Sequence, residues 1–431
     1  MQNSRYPFYV LALLWAAALL RFVDLQIVAV LLESIKAEFR LDDTRLALLG
    51  GAAFALFYGV LGLPVAWLAE RYCRRTLIAA AVTLWSLMTM LCGQASSFGN
   101  LLLARIGVGI GEAGGYPPTT SLLADYFPPA KRGRACAIIA SAIPIGVLVG
   151  FAAGGLINAH YGWRATLQVV GLPGVLLGLL ILLTLREPRR LQAGDATFTG
   201  MSFLASSRQL WRSAGYPTLV AAACLFTLGA TGSGLWIPSY FIRHHGLSGT
   251  ETGIWMALLY GGGGLAGSLL GGWLAQRADR DGSGAAYATV CRWSLAATLP
   301  LLPFVLLLPY PRIALCCHAG VTLLMHMNVG PVLTLIQKLA GERQRALAHA
   351  WSLLVSNVVA LPLGPLAVGW FSDRLTPVLG SAALGYGILA VMTISWAAAA
   401  WLFNHTAQQL KVWRKAERGE DSLLLGLPGA G

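Results

Sequence analysis

Four ionisable residues stand inside stretches that are otherwise apolar, Arg21 with Asp24 in one and Arg105 with Glu112 in another. A charge held away from water is costly unless it meets an opposite charge, and such residues in apolar helices mark ion paths, relays or binding sites. Two cations and two carboxylates allow two ion pairs. A carboxylate whose cation is displaced takes up a proton more readily, so the chemistry on offer is the coupling of a proton to a second ligand. Nothing points to bond breaking: there is no histidine pair at metal-binding helical spacing and no Ser or Cys nucleophile motif with a partner. The reading is therefore neither an enzyme nor a metalloprotein, and no cofactor is expected beyond a proton gradient as energy source.

The elements that hold these residues follow from composition. Hydrophobic residues make up 56% of the chain and charged residues 11%, against about a quarter charged in a soluble protein; the mean hydropathy is +0.65. Twelve apolar runs lie near 8–31, 46–69, 76–96, 99–124, 135–157, 165–186, 217–241, 252–275, 286–308, 312–337, 346–371 and 378–403. Each is long enough to cross about 30 Å of hydrocarbon. The net charge of +13 is topological and does not mark a nucleic-acid partner. With the N-terminus inside, only Lys36, Arg40, Arg45, Arg164, Arg243, Arg312 and Arg374 fall in outside segments, and most of the 31 Lys and Arg fall inside. The positive-inside rule then puts both termini in the cytoplasm of a multi-pass protein of the cell (inner) membrane. No cleavable signal peptide is apparent, and the seven cysteines read as reduced and structural.

Depth follows from the rise of 1.5 Å per residue. Asp24 lies about 10 Å and Arg21 about 15 Å below the outer end of the first span, while Arg105 lies about 8 Å and Glu112 about 18 Å below that of the fourth. The levels match Asp24 to Arg105 and Arg21 to Glu112.

The chain also repeats itself. Ala55 to Leu63 (ALFYGVLGL) precede WLAER at Trp67 to Arg71, and Ala257 to Leu265 (ALLYGGGGL) precede WLAQR at Trp273 to Arg277. The second copy reads as the same helix lengthened by about one turn before its exit. The expected organisation is a six-helix half over 1–187, a cytoplasmic linker at 188–216, a second half over 217–404 and a cytoplasmic tail at 405–431. Ser202 to Arg212 fits either a short amphipathic surface helix or a plain loop, and the tail is expected to be poorly ordered. Glycines spaced by four, Gly146, Gly150 and Gly154, then Gly263, Gly267 and Gly271, predict close helix packing.

Several segments resemble the major facilitator superfamily. The loop after the second span, Ala66 to Arg75 (AWLAERYCRR), is similar to its signature loop, with Glu70 where Asp is usual and Ala66 and Cys73 where glycines are usual; the matching loop of the second half has Gln276 where an acid is expected. Leu103 to Ala113 (LARIGVGIGEA) resembles its fourth-helix motif, and the stripe from Gly146 its fifth-helix motif, which is enriched in exporters. The GEA ending, Arg21 to Gln26 (RFVDLQ), Ile35 to Phe39 (IKAEF) and Gly369 to Arg374 (GWFSDR) look like the Spinster-type branch, which usually has Asn at the place of Arg21 and Arg at that of Leu25.

The resemblance implies an all-α polytopic membrane protein, with twelve transmembrane helices in two pseudo-symmetric six-helix halves and spans 1, 4, 7 and 10 around a central cavity. With those spans around a cavity, the intramembrane charges Asp24, Glu112, Arg21 and Arg105 are read as the coupling and substrate residues. Tyr116, Thr227, Trp236, Tyr240, His326, Asn328 and neighbouring Asn357 become cavity residues, and Glu70, Arg71, Arg74 and Arg75 a cytoplasmic gate. One charged half and one aromatic half suit an amphipathic ligand. The function expected is secondary active transport of a lipid-like or drug-like amphipathic molecule by a monomer surrounded by membrane lipids, as proton-coupled export by alternating access. The alternatives are a proton-coupled importer of an organic anion or metal chelate held by Arg21 or Arg105, and a channel or scramblase.

Overall fold

A computed structural model describes residues 5–188 and 203–417. Every regular element among them is helical. The spanning helices are α1 (Tyr6–Phe39), α2 (43–71), α3 (Arg74–Cys92), α4 (98–126), α5 (129–161), α6 (163–184), α7 (Tyr216–His245), α8 (Gly249–Ala278), α9 (Ala285–Leu306), α10 (Pro311–Ala340), α11 (347–379) and α12 (Ala383–Glu417). Nine continuous stretches among the described residues are long and apolar enough to cross a membrane. Lys131–Thr184 holds both α5 and α6, and Leu347–Arg414 both α11 and α12, while α4 is cut into two shorter pieces at Gly114 and Gly115. This is the twelve-helix architecture.

Local chemistry sets the ends. Ser97 caps α4, and Ser248 with Glu251 forms a capping box at the start of α8, filling donors that a helix N-terminus leaves open. Gly162 separates α5 from α6 with φ 78° and ψ 167°, a conformation that costs glycine little. Along α5 and α8 the glycine stripes do the packing: a Cβ on Gly150 would lie 2.9 Å from the carbonyl of Val23 in α1, and one on Gly271 2.1 Å from that of Met327 in α10.

Helices α1–α6 and α7–α12 make the two halves, which meet where α5 crosses α8, α2 crosses α11 and α1 meets α7. Three π turns, Leu48–Ala52 in α2, Ala257–Gly263 in α8 and Ser356–Ala360 in α11, lie at these crossings. The repeated blocks sit in α2 and α8, but α8 is not lengthened overall. Its extra turn after the block is balanced by a later start, Gly249 for a block at Ala257 against Asp43 for a block at Ala55. One open alternative is decided and one expectation changes. Phe203–Arg212 is a helix, anchored by Trp351 donating to Ser207 Oγ; residues 189–202 of the linker lie outside the described residues. The tail is helical to Glu417, because Ala407 and Leu410 are buried and Thr406 bonds Thr218 of α7; residues 418–431 lie outside the described residues.

Candidate functional site

The charged residues of α1 and α4 come together as two pairs stacked by depth. Arg21 Nε donates to Glu112 Oε2 at 2.9 Å, and Arg105 donates to Asp24 Oδ2 at 3.3 Å. Glu112 is fully enclosed, and Asp24 and Arg105 are buried, whereas the Arg21 side chain keeps 14% of its surface exposed. Helical rise brings these partners level, and the glycines of α4 allow close packing: a Cβ on Gly111 would lie 2.7 Å from the backbone of Trp85 in α3.

Two further side chains complete the site. Thr89 of α3 donates its hydroxyl to Asp24 Oδ1 at 2.7 Å, and the Arg21 guanidinium lies 4.9 Å from the ring centre of Tyr58 in α2. Neither was singled out by the sequence, which gives no sign that a Thr on α3 and a Tyr on α2 turn toward α1. One oxygen of Glu112, Oε1, has no hydrogen-bond partner. A buried acceptor left open is costly, so this oxygen is where a proton or a ligand donor is best received.

The expected cavity residues of the second half are dispersed. Trp236 and Tyr240 are fully buried and face their own half: Trp236 donates to the Pro365 carbonyl of α11 at 3.0 Å, and the Tyr240 hydroxyl to that of Val305 in α9 at 3.4 Å. Their polar atoms need buried acceptors, and backbone carbonyls of the neighbouring helices supply them. Thr227 donates to Ala223 O of its own helix, and Asn328 to Ser294 Oγ of α9. His326 packs against α8, where a Cβ on Gly264 would lie 3.1 Å from its Nε2. Asn357 sits in the π turn of α11, against Gly59 of α2. The side chain of Tyr116 lies outside the described residues.

Of the expected gate, the side chains of Glu70 and Arg71 lie outside the described residues. Buried Arg74 bonds Glu187 Oε1 at 2.8 Å, Asp125 at 2.6 Å and Ser121 Oγ at 3.0 Å, and the Arg75 N–H donates to Glu187 Oε2 at 2.9 Å. Burial works to raise the carboxyl of Glu187, yet the hydrogen bonds from the Arg75 N–H and the Arg74 guanidinium outweigh it and hold the group below the usual carboxylate range. All of these residues belong to one half. In the second half Asp279, three residues after Gln276, takes the place of the missing acid and bonds Lys338 of α10 at 2.5 Å.

At the opposite end the ion pairs cross between halves. Arg243 of α7 bonds Glu33 of α1 and Asp43 of α2, each at 2.8 Å. Asp43 also takes Lys36 at 2.5 Å and the hydroxyl of Ser372 in α11 at 2.6 Å. Asp373 accepts the backbone N–H groups of Asp43 and Thr44, each at 2.8 Å, filling donors at the N-terminus of α2 from the other half. Among the described residues every hydrogen bond between the halves lies at this end. The sequence held only the acids and bases of short connections as a hint.

This geometry has relatives. An MFS-type efflux pump of Mycolicibacterium smegmatis is 33% identical over 89% of this chain and 89% of its own length. A sphingosine-1-phosphate transporter of Danio rerio is 25% identical over 86% of this chain and 77% of its own. A solved bacterial homolog of the human lysosomal transporter Spinster, in an inward-facing and unoccupied conformation, superposes with a TM-score of 0.85 at 26% identity, covering 95% of this chain and 98% of that one. The sequence model of the Major Facilitator Superfamily matches residues 14–365. Spanning parts of both halves and carrying the paired charges of α1 and α4, the chain belongs to the Major Facilitator Superfamily and is Spinster-like within it.

Proposed function

We propose that this transporter exports an amphipathic organic molecule in exchange for protons by alternating access, with halves 1–187 and 217–404 moving as units about the 188–216 linker. The observation that carries the reading is the Arg21–Glu112 pair: a fully enclosed carboxylate with one oxygen unpartnered, held by a cation that stays partly exposed. An anionic head group drawn to Arg21 competes with Glu112 for the guanidinium, and a proton on Glu112 removes the charge left behind. Asp24 and Arg105, enclosed with Thr89, hold α1 against α4 while this exchange occurs.

The charge distribution supports placing the Glu33/Asp43/Arg243 end outside and both termini in the cytoplasm of a cell membrane. With that end joined across the halves, this is the conformation that receives substrate from the cytoplasm, and the inward-facing relative supports the same reading. Export is supported by the mycobacterial efflux pump, and an amphipathic substrate by the sphingosine-1-phosphate transporter.

The test uses inverted vesicles and sphingosine 1-phosphate as probe. An imposed proton gradient should drive accumulation, and a protonophore should abolish it. Glu112→Gln should lose gradient-driven accumulation and retain counterflow exchange. Accumulation by Glu112→Gln against a gradient overturns the assignment of the coupling residue; proton-driven uptake of an organic dianion in right-side-out vesicles, without export, overturns the direction.

A further inference from the structure

The C-terminal half holds a cluster of enclosed polar groups with no partners. On α10, His318 and Thr322 stand one turn apart, 1% and 0% exposed, and both ring nitrogens of His318 and the Thr322 hydroxyl lack hydrogen bonds. The Tyr260 hydroxyl of α8 is likewise unpartnered, with its ring centred 5.6 Å from His318 and 6.3 Å from His326. His326 Nδ1 lies 2.8 Å from the Thr322 carbonyl; a carbonyl only accepts, so Nδ1 carries the hydrogen and Nε2 is left as an acceptor. Native proteins rarely leave so many buried polar atoms unpaired, and a site that does so is built for something else.

We propose that His318, with Tyr260 and Thr322 beside it, is a second proton site, sealed while the halves are joined at the Arg243 end and reached by water when they part. The lid belongs to the other half: Phe151 of α5 stacks on Tyr260 with ring centres 5.7 Å apart, where α5 crosses α8 so closely that a Cβ on Gly253 would lie 2.4 Å from the Phe151 carbonyl. Phe241 of α7 covers the other side, 6.2 Å from His318. The His318 ring meets Tyr260 of α8 and Phe241 of α7; His326 on α10 itself lies against Tyr260, and His245 of α7 lies against Phe241, with Tyr240 and His244 next to His245; α9 carries Cys291 and Arg292, the latter bonded to Asn404. Arg243 of α7 is taken by Glu33 and Asp43, and no carboxylate among the described residues bonds His318. An imidazolium in the sealed site would have no counter-charge and, with both ring nitrogens out of hydrogen-bond contact, no bonded acceptor; in the parted state it has water. Protons therefore favour the parted state by linkage.

The inference rests on the alternating-access reading, and its test needs no substrate. Spin labels at Gly99→Cys and Tyr310→Cys, in a Glu112→Gln chain with exposed Cys136 and Cys316 replaced by serine, report the separation of the halves. A site protonated only when parted, with the ordinary imidazole value of about 6.5, raises the parted-to-joined ratio about tenfold between pH 7.5 and 5.5. His318→Gln should reduce that response below about twofold, and His326→Gln should leave it. A full response in His318→Gln, or one lost in His326→Gln instead, overturns the proposal. A second measurement spares His318 from substitution: deuterium exchange at its ring carbon should be at least about tenfold slower when Glu33→Cys and Arg243→Cys are cross-linked than when they are reduced. Equal rates overturn the sealed site. Failed sphingosine 1-phosphate transport leaves both readouts intact and bears only on the function proposed above.

Discussion

The two ends of the bundle use the same kinds of side chain to different effect. At one end Arg243, Asp43, Glu33, Ser372 and Asp373 take their partners across the boundary between halves. At the other, Arg74 with Glu187 and Asp125, and Lys338 with Asp279, take theirs within a half. Only a contact that differs between conformations biases their equilibrium. On the alternating-access reading proposed above, the crossing network biases which end is closed, whereas pairs made within a half do not.

The sharpest way to break this distinction is Asp43→Asn, which removes the buried carboxylate shared by Lys36, Arg243 and Ser372. Losing one partner of a buried pair costs about 3 kcal/mol or more, so the joined-to-parted ratio should fall about a hundredfold, read by the spin-label pair. Arg74→Ala is the counterpart. It should lower folding stability by about 1 to 2 kcal/mol, since its partners are partly solvated, and leave that ratio unchanged. A large shift in the ratio would mean that the Arg74 cluster senses the conformation after all.

Asp373→Asn keeps the shape of the cross-boundary cap and removes its charge. The joined state should lose about 1 kcal/mol, a fivefold change in the ratio, with thermal stability almost unchanged. The smallest effect is in pH. The folded value of Glu187 is held below its ordinary 4.5, so its contribution is present above that value and lost as pH falls through the depressed one. Glu187→Gln should melt slightly lower than the parent at pH 7, by less than about 1 kcal/mol, and the gap should close in acid. A gap that stays the same from pH 7 down to the acid limit of folding would show that packing, not charge, is what Glu187 supplies.

Much of the frame was legible beforehand. Apolar runs locate the spans, and counting 1.5 Å per residue sets Arg21 level with Glu112 and Asp24 level with Arg105, pairs that the structure forms. The cavity residues were less legible. Trp236 and Tyr240 carry polar atoms on aromatic rings and suit a ligand site as well as a core, and only the packing of α9 and α11 turns them inward. His318 was one of several polar residues on its helix until α8 and α5 enclosed it without partners.

By itself the sequence determined what each helix carries and at what depth, because hydrocarbon thickness and a constant rise tie residue number to height. It also fixed the duplication, legible in the repeated blocks of α2 and α8. The tertiary structure alone decided azimuth and partnership: that Thr89 turns to Asp24, that Asp373 caps a helix of the other half, and that Asp279 stands in for Gln276. Rotation about a helix axis is set by side-chain packing against distant segments, and no local pattern within one apolar span encodes which neighbour that will be.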